Sequence, residues 1–351
     1  APTIGDLKQR SVEVRPDQKV ESSAARAMQN YRRYLELQTA DPELRAEALR
    51  RLADLNLEAG EQERNDKEVS SLDLGGAEAI KLYSALLKAY PDYPRNDVVL
   101  YQLARAYETT GQPEQALATL DDIVKRYPRF AQLDEVEFRR GEILFSAKRY
   151  PESEKAYARS MAHNKGSFYS QSLYKHGWSL FKQGLNEESL GSFAQLLDEK
   201  LRVTRPVAGA ALARGAGMRT LESLPRADRE LVDDTLRVMS IAFSYLDGAA
   251  SVNQLLKVRG DSPYAWLLYS RLGDLYVDKE RYQDAATTYR AFVARDPVDE
   301  HAPNLSMQAI EAYRKGGFTD LVVVGKTEYV NAYGFGKPFW QGRDRARFPE
   351  V

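Results

Sequence analysis

The amino-acid sequence predicts an all-α chain built as a stack of helical hairpins. Three observations carry that expectation. A pattern of apolar, small and aromatic residues recurs in one register, at spacings of 33 to 37 residues, over most of residues 46–335. Within each copy the apolar positions follow the 3.6-residue period of a helix face rather than the alternation of a strand. One run alone, Leu321-Val322-Val323-Val324, is β-like, and the register assigns it to the second helix of a hairpin.

From the start of the chain, Ala27, Tyr31 and Tyr34 read as a second helix whose first helix is missing. Leu49, Leu52 and Ala53 form a first helix, and its partner (Ala79, Tyr83, Leu86, Pro91) arrives about 14 residues late. The polar stretch between them, Glu61 to Gly76, is expected as an extended loop or as lengthened helices. A clean copy follows. Counted from residue 97, Leu100, Leu103, Ala104, Tyr107, Gly111, Ala116, Leu120, Ile123 and Pro128 fall at positions 4, 7, 8, 11, 15, 20, 24, 27 and 32. Small residues at positions 8 and 20 let the two helices approach closely.

The register returns in Gly141, Leu144, Tyr150, Ser153, Tyr157 and Ser160, then in Leu173, Gly177, Leu180, Gly184, Ser189, Phe193 and Leu196. Residues 202–225 depart from it. Val207 to Leu221 is rich in Ala and Gly, and Pro225 breaks it, so an inserted helix and linker are expected over 202–232. Leu236, Met239, Ser240, Phe243, Val252 and Leu256 make a degenerate copy. The clearest copy is Tyr269, Leu272, Gly273, Tyr276, Tyr282, Ala285, Tyr289, Phe292 and Pro297. A weaker one runs from Leu305 through Ala309, Ala312, Gly316, Phe318 and Leu321 to Tyr333.

These residues resemble the 34-residue tetratricopeptide repeat (TPR). The resemblance implies a right-handed α-solenoid of about seven TPR-like hairpins, some degenerate. The expected organisation is an N-terminal array over 1–201, the insertion over 202–232, and a C-terminal array over 233–351. The mid-repeat start and the end at Phe348-Pro349-Glu350-Val351, without a polar capping helix, read as a piece of a longer array. The units ending in Tyr90-Pro91 and Tyr127-Pro128 are similar to those of bacterial cell-envelope TPR proteins. Those include the outer-membrane assembly lipoprotein family and TPR proteins of TonB- or Tol-type systems. That likeness implies a periplasmic or outer-membrane-associated location, with Ala1 after a removed export signal or in a truncated chain; the alternative is cytoplasmic.

Composition narrows the function classes. With 50 Lys plus Arg against 51 Asp plus Glu, the net charge of −1 offers no basic excess for nucleic acid. The basic clusters at Arg32-Arg33, Arg50-Arg51 and Arg139-Arg140 are interleaved with acids and read as solvated helix faces; Arg343 to Arg347 is a short tail. Zero Cys rules out disulfides, thiolate metal sites and thiol catalysis. No uncharged stretch reaches the roughly 18 residues of a membrane span.

Catalytic constellations fail in turn. His163, His176 and His301 lie in different repeats, without the HExxH spacing of a zinc protease, and His176 reads as a packed side chain. Gly325-Lys326-Thr327 imitates the end of a phosphate-binding loop, but Asp320 stands where its first glycine belongs. Gly215-Ala216-Gly217 follows no strand. Gly177-Trp178-Ser179-Leu180-Phe181 lacks the last glycine of a nucleophile elbow. The adjacent pairs Asp121-Asp122 and Asp233-Asp234 are expected to face solvent in different directions. No enzyme, metal or cofactor is expected.

What remains is surface. The TPR resemblance implies that positions 2, 5, 9, 12 and 13 of each first helix line a concave groove. They read Val98, Tyr101, Arg105 and Glu108; Glu135, Phe138, Glu142 and Phe145; and Gln171, Tyr174, Trp178, Phe181 and Lys182. The expected partner-binding set is Tyr101, Arg105, Phe138, Glu142, Phe145, Tyr174, Trp178, Phe181 and Lys182. Aromatic rings interleaved with a few charges suit an extended or helical peptide, whereas packing against neighbouring repeats is the plain alternative. TPR modules that grip chaperone C-terminal carboxylates use Lys, Asn and Arg here; Tyr101, Phe138 and Tyr174 at position 5 do not fit that ligand. The leading expectation is a non-catalytic scaffold for protein or peptide partners in an envelope complex. The alternative is a carbohydrate- or peptidoglycan-binding module, or a polysaccharide-secretion helper, that stacks sugar on Tyr174, Trp178 and Phe181.

Overall fold

The computed structural model describes residues 23–37, 41–66, 74–163, 166–201, 221–260 and 262–351. Among them are fifteen α-helices and no strand. The chain divides into two compact units, Ala1–Ala131 and Gln132–Val351. The first holds α1 (Ser23–Glu36), α2 (Pro42–Asp66), α3 (Leu74–Ala89), α4 (Asn96–Thr109) and α5 (Pro113–Arg126). Its hairpins are α2/α3 and α4/α5, with α1 packed on α2.

The second unit begins with the hairpins α6 (Leu133–Ser146)/α7 (Tyr150–His163) and α8 (Tyr169–Lys182)/α9 (Asn186–Leu201). It continues with α10 (Arg226–Tyr245)/α11 (Ala249–Arg259) and α12 (Ala265–Asp278)/α13 (Tyr282–Arg295), and ends with α14 (Ala302–Lys315)/α15 (Thr319–Tyr333). Each unit is a stack of helical hairpins, the α-solenoid arrangement expected of the repeats. The β-like Leu321–Val324 run lies inside α15. The inserted segment falls largely at 202–220, outside the described residues, as does Gly215-Ala216-Gly217; Pro225 caps α10 from the front. The polar stretch after residue 60 is partly helix, since α2 runs on to Asp66, while 67–73 lie outside the described residues.

The turn inside each hairpin is dictated by backbone geometry. Position 15 takes a left-handed conformation: Gly111 has φ +72° and Gly184 φ +79°. The next two amides bond back to the helix, Gly111 N to Glu108 O and Gln112 N to Tyr107 O, satisfying its last carbonyls. The same bonds form at Lys148 (φ 61°) and Glu280 (φ 57°), where a side chain bears the steric cost of that conformation.

In three hairpins of the second unit the decisive contact is a position-8 glycine under a position-24 ring. A Cβ on Gly141 would lie 2.5 Å from the Tyr157 ring, one on Gly177 2.6 Å from Phe193, and one on Gly273 2.2 Å from Tyr289. All three rings are buried. In α14/α15 the contact differs: position 8 is Ala309, and Gly325 at position 24 admits Ile310 of position 9, 2.9 Å from a would-be Cβ. This close approach is the reason for the glycine in Gly325-Lys326-Thr327, which is helical throughout.

In two of the basic clusters expected to be solvated, one arginine, Arg50 or Arg140, is instead an internal tie, while Arg51 lies on an exposed face. Arg50 is 4% exposed and donates to Glu47 and to Asp54 Oδ2 at 2.7 Å, while Tyr83 and Tyr93 donate to Asp54 and Glu47 at 2.7 and 2.6 Å. The Arg50 hydrogen bond is the main reason the Glu47 carboxyl is held down to about 2. In α6, Arg140 and Arg159 of α7 both donate to Glu137, which is 1% exposed. Local spacing supplies the Arg50 and Arg140 pairs but does not reveal their burial, because the ties that complete them, from Tyr83, Tyr93 and Arg159, come from elsewhere in the chain.

The α10/α11 hairpin departs from the pattern. α11 touches α10 only slightly, and α10 packs directly on α12. First helix therefore meets first helix there. After α15 the chain covers the end of the last hairpin: Phe339 is buried against Tyr333 and Phe348, and Trp340 Nε1 donates to Tyr333 O at 2.7 Å.

Two expectations follow, each read from denaturant or thermal unfolding. Gly273→Ala forces a methyl into the Tyr289 ring and should cost about 1–3 kcal/mol. Gly191→Ala, whose Cβ meets nothing within 4 Å, should be neutral or stabilising by up to ~1 kcal/mol. Equal effects would contradict the close-approach account. Glu280→Gly should stabilise by about 1 kcal/mol by relieving the left-handed side chain; a loss of stability would contradict it.

Candidate functional site

The expected groove residues fall in both units. Tyr101 and Arg105 belong to the first. Tyr101 is 5% exposed, with its ring 5.9 Å from Phe130, and is core rather than open surface. Arg105 pairs with Glu61 of the extended α2 at 2.6 Å.

In the second unit, Phe138 is half-buried between Tyr157 and Phe168, at 5.8 and 5.0 Å. Glu142 accepts from the Tyr157 hydroxyl and pairs with Lys175 at 3.0 Å. The Lys175 ammonium lies 5.4 Å from the centre of the Phe145 ring. Packing between repeats accounts for these residues. Further along, the rings line up. Tyr174 meets Trp178 at 6.3 Å and Trp178 meets Phe181 at 5.6 Å, both edge-on. Phe181 stacks on Tyr245 of α10 at 6.1 Å and 13°. Lys182 Nζ lies 5.5 Å over Trp178. Tyr245 is 68% exposed and completes the run. Continuing the register of Ser240 to position 13 would have found it in the sequence.

A rule links position 24 to position 9. Where position 24 is Tyr, its hydroxyl reaches a carboxylate at position 9: Tyr83 to Asp54, Tyr157 to Glu142, Tyr289 to Asp274. Burial and the adjoining carboxylate push these tyrosine hydroxyls well above their ordinary range. Where position 24 is Phe193, no hydroxyl emerges and position 9 is Trp178. That ring is free of the internal tie that occupies the position elsewhere, which sets α8 apart as the aromatic segment of the face.

The aromatic run adjoins a charged groove. The Tyr174 hydroxyl donates to Asp234 of α10, and burial together with that bond pushes it up to about 12. From Asp234 a groove of about 510 Å³ opens between α10 and α12, with Ser240 and Leu275 among its lining residues. Arg271 donates across it to Asp233 at 2.8 Å, and Arg237 Nε donates to Asp234 at 2.8 Å. Asp233 and Asp234 are thus groove residues held in ion pairs, not the solvated pair expected. Asp274 is raised above the ordinary carboxylate range chiefly by burial, which the Tyr289 bond opposes.

The residues examined for chemistry are otherwise engaged. His176 Nδ1 is 2.8 Å from Ser192 Oγ, and burial lowers its basicity. His301 stacks on Trp266 at 3.8 Å. His163 ends α7. Ser179 is buried and bonded to Ser153 Oγ at 2.7 Å and Lys175 O at 2.9 Å. No cluster of His, Asp and Glu with metal-binding geometry occurs among the described residues. No described helix is long and apolar enough to cross a membrane.

Three stretches, residues 76–137, 171–199 and 244–300, match tetratricopeptide-repeat families. The chain carries tetratricopeptide repeats in these three stretches. Among solved structures it is similar to a tetratricopeptide repeat protein from Parabacteroides merdae, with 14% identity over 81% of this chain and 94% of that one, at a TM-score of 0.38. The C-terminal part of a TPR repeat-containing protein from Cytophaga hutchinsonii is 12% identical, over 81% and 94%, at a TM-score of 0.44. YrrB, described as a TPR protein with an unusual peptide-binding site, is 13% identical, over 82% and 99%, at 0.38. No curated protein matches the sequence.

The Tyr289–Asp274 bond has a titratable signature. Tyr289→Phe removes a donor that favours the carboxylate, so the Asp274 midpoint, followed by carboxyl NMR, should move further up. An unchanged midpoint would contradict the bond.

Proposed function

We propose that this protein is a non-catalytic scaffold that holds segments of partner proteins on the first-helix face of its second unit. The observation that carries the reading is the run Tyr174, Trp178, Phe181 and Tyr245, which begins beside a groove at Asp234 and ends in an exposed ring. Aromatic rings supply large contact area at small entropy cost and dominate peptide-binding surfaces. The repeat family supports the same class of role. A periplasmic or outer-membrane-associated complex is the proposed setting, and its support is the Tyr-Pro style of the repeats ending at Pro91 and Pro128.

The parallel Phe181–Tyr245 stack favours a second reading, in which the exposed Tyr245 face carries a sugar ring of a glycan or peptidoglycan. Peptide and glycan arrays separate the two. Under the scaffold reading peptides bind, and Trp178→Ala or Tyr245→Ala weakens them by about tenfold or more, the loss typical of a central aromatic. Tyr245 is exposed, so its variant keeps the fold and controls for the partly buried Trp178. Glycan binding with the same residue dependence and no peptide response would transfer the assignment to the second reading.

A further inference from the structure

We infer that the groove between α10 and α12 takes an arginine or lysine side chain of the partner segment, whose apolar residues rest on the aromatic run from Tyr174 to Tyr245. The inference builds on the proposed scaffold role and adds the chemistry of the partner. It starts from the irregular hairpin. Because α10 packs directly on α12, two first helices border one groove of about 510 Å³, wide enough for a long side chain and its backbone.

The charges lining that groove do not balance. Asp233, Asp234, Asp274 and Asp278 face Arg237 and Arg271, an excess of two negative charges. Both arginines are already engaged, Arg271 with Asp233 and Arg237 with Asp234. The surplus therefore sits on the α12 wall, at Asp274 and Asp278, one helical turn apart on the same face. Asp274 spends one carboxylate oxygen on the Tyr289 hydroxyl, and Asp278 adds a repelling charge. Arg271 within the lining and Lys315 of α14 outside it also act on Asp274, while Asp278 is exposed and is paired with neither. A cation placed between these carboxylates relieves like-charge repulsion and gains charge-assisted hydrogen bonds. An anionic side chain would add to the excess.

Continuity with the aromatic run supplies the second half. Asp234 is at once a groove residue and the acceptor for Tyr174, so the acidic groove adjoins the aromatic run at its first ring. A segment crossing both meets an aromatic surface and then a cation-selective slot. This is a basic–apolar pattern, distinct from the acidic carboxylate terminus gripped by clamp-type TPR modules.

Fluorescence anisotropy with the full chain tests it. Three labelled peptides of equal length share the same apolar residues and differ in Arg, Gln or Glu at the intervening positions. The Arg peptide should bind about tenfold tighter than the Glu peptide at low salt, with the gap narrowing as salt rises. Asp278→Asn, at an exposed position, should remove most of that preference while leaving the Gln peptide unchanged. Tyr245→Ala should weaken all three. Equal binding of the Arg and Glu peptides, or a preference that survives in Asp278→Asn and in the Asp274→Asn/Asp278→Asn double variant, overturns the inference but leaves the scaffold role standing. Binding of none of the three, with no loss in Tyr245→Ala on any peptide array, overturns both.

Discussion

Everything in this architecture depends on how closely two helices of a hairpin can approach. In three hairpins of the second unit the approach is set by one contact, a position-8 glycine beneath a large ring at position 24. At Gly141, Gly177 and Gly273 the ring sits where a Cβ would be. Burying a ring of this size contributes several kcal/mol per hairpin, and the same contact fixes the rotation of each first helix. Fixing that rotation decides which side chains face inward and which reach the open face. The interaction surface is thus a consequence of the core.

The coupling extends to chemistry. Tyr at position 24 buries its ring and delivers its hydroxyl to a position-9 carboxylate, so Asp54, Glu142 and Asp274 are partly committed to their own hairpins. Phe193 has no hydroxyl to deliver, and Trp178 replaces the acid above it. One atom in the core changes what the open face presents. The α10/α11 hairpin shows the complementary case: loosening between α10 and α11 brings α10 against α12 and opens the acidic groove.

Helices and hairpins were legible in the sequence because their signal is local. Small, aromatic and glycine residues recur at fixed offsets, and each offset has a steric cause. The site was legible in part. Tyr174, Trp178, Phe181 and Lys182 fall on one surface as their register predicts, but Tyr101 does not, because Phe130 from the following turn covers it. Tyr245 and the α10–α12 groove were missed because the degenerate copy hides the register that places them. The internal role of Arg50, Glu137 and Asp234 was illegible for a different reason. Asp54 and Arg50 are tied through Tyr83, Glu137 through Arg159 and Asp234 through Tyr174, all from other helices, and a charge carries no mark of its distant partner.

The central claim is that partners bind the first helices of the second unit. Hydrogen exchange on the full chain, alone and saturated with a bound peptide, tests it most directly. The account predicts added protection in α8, α10 and α12, with the second helices α9, α11 and α13 unchanged. Protection confined to α9 and α11, with none in α8 or α10, would contradict it.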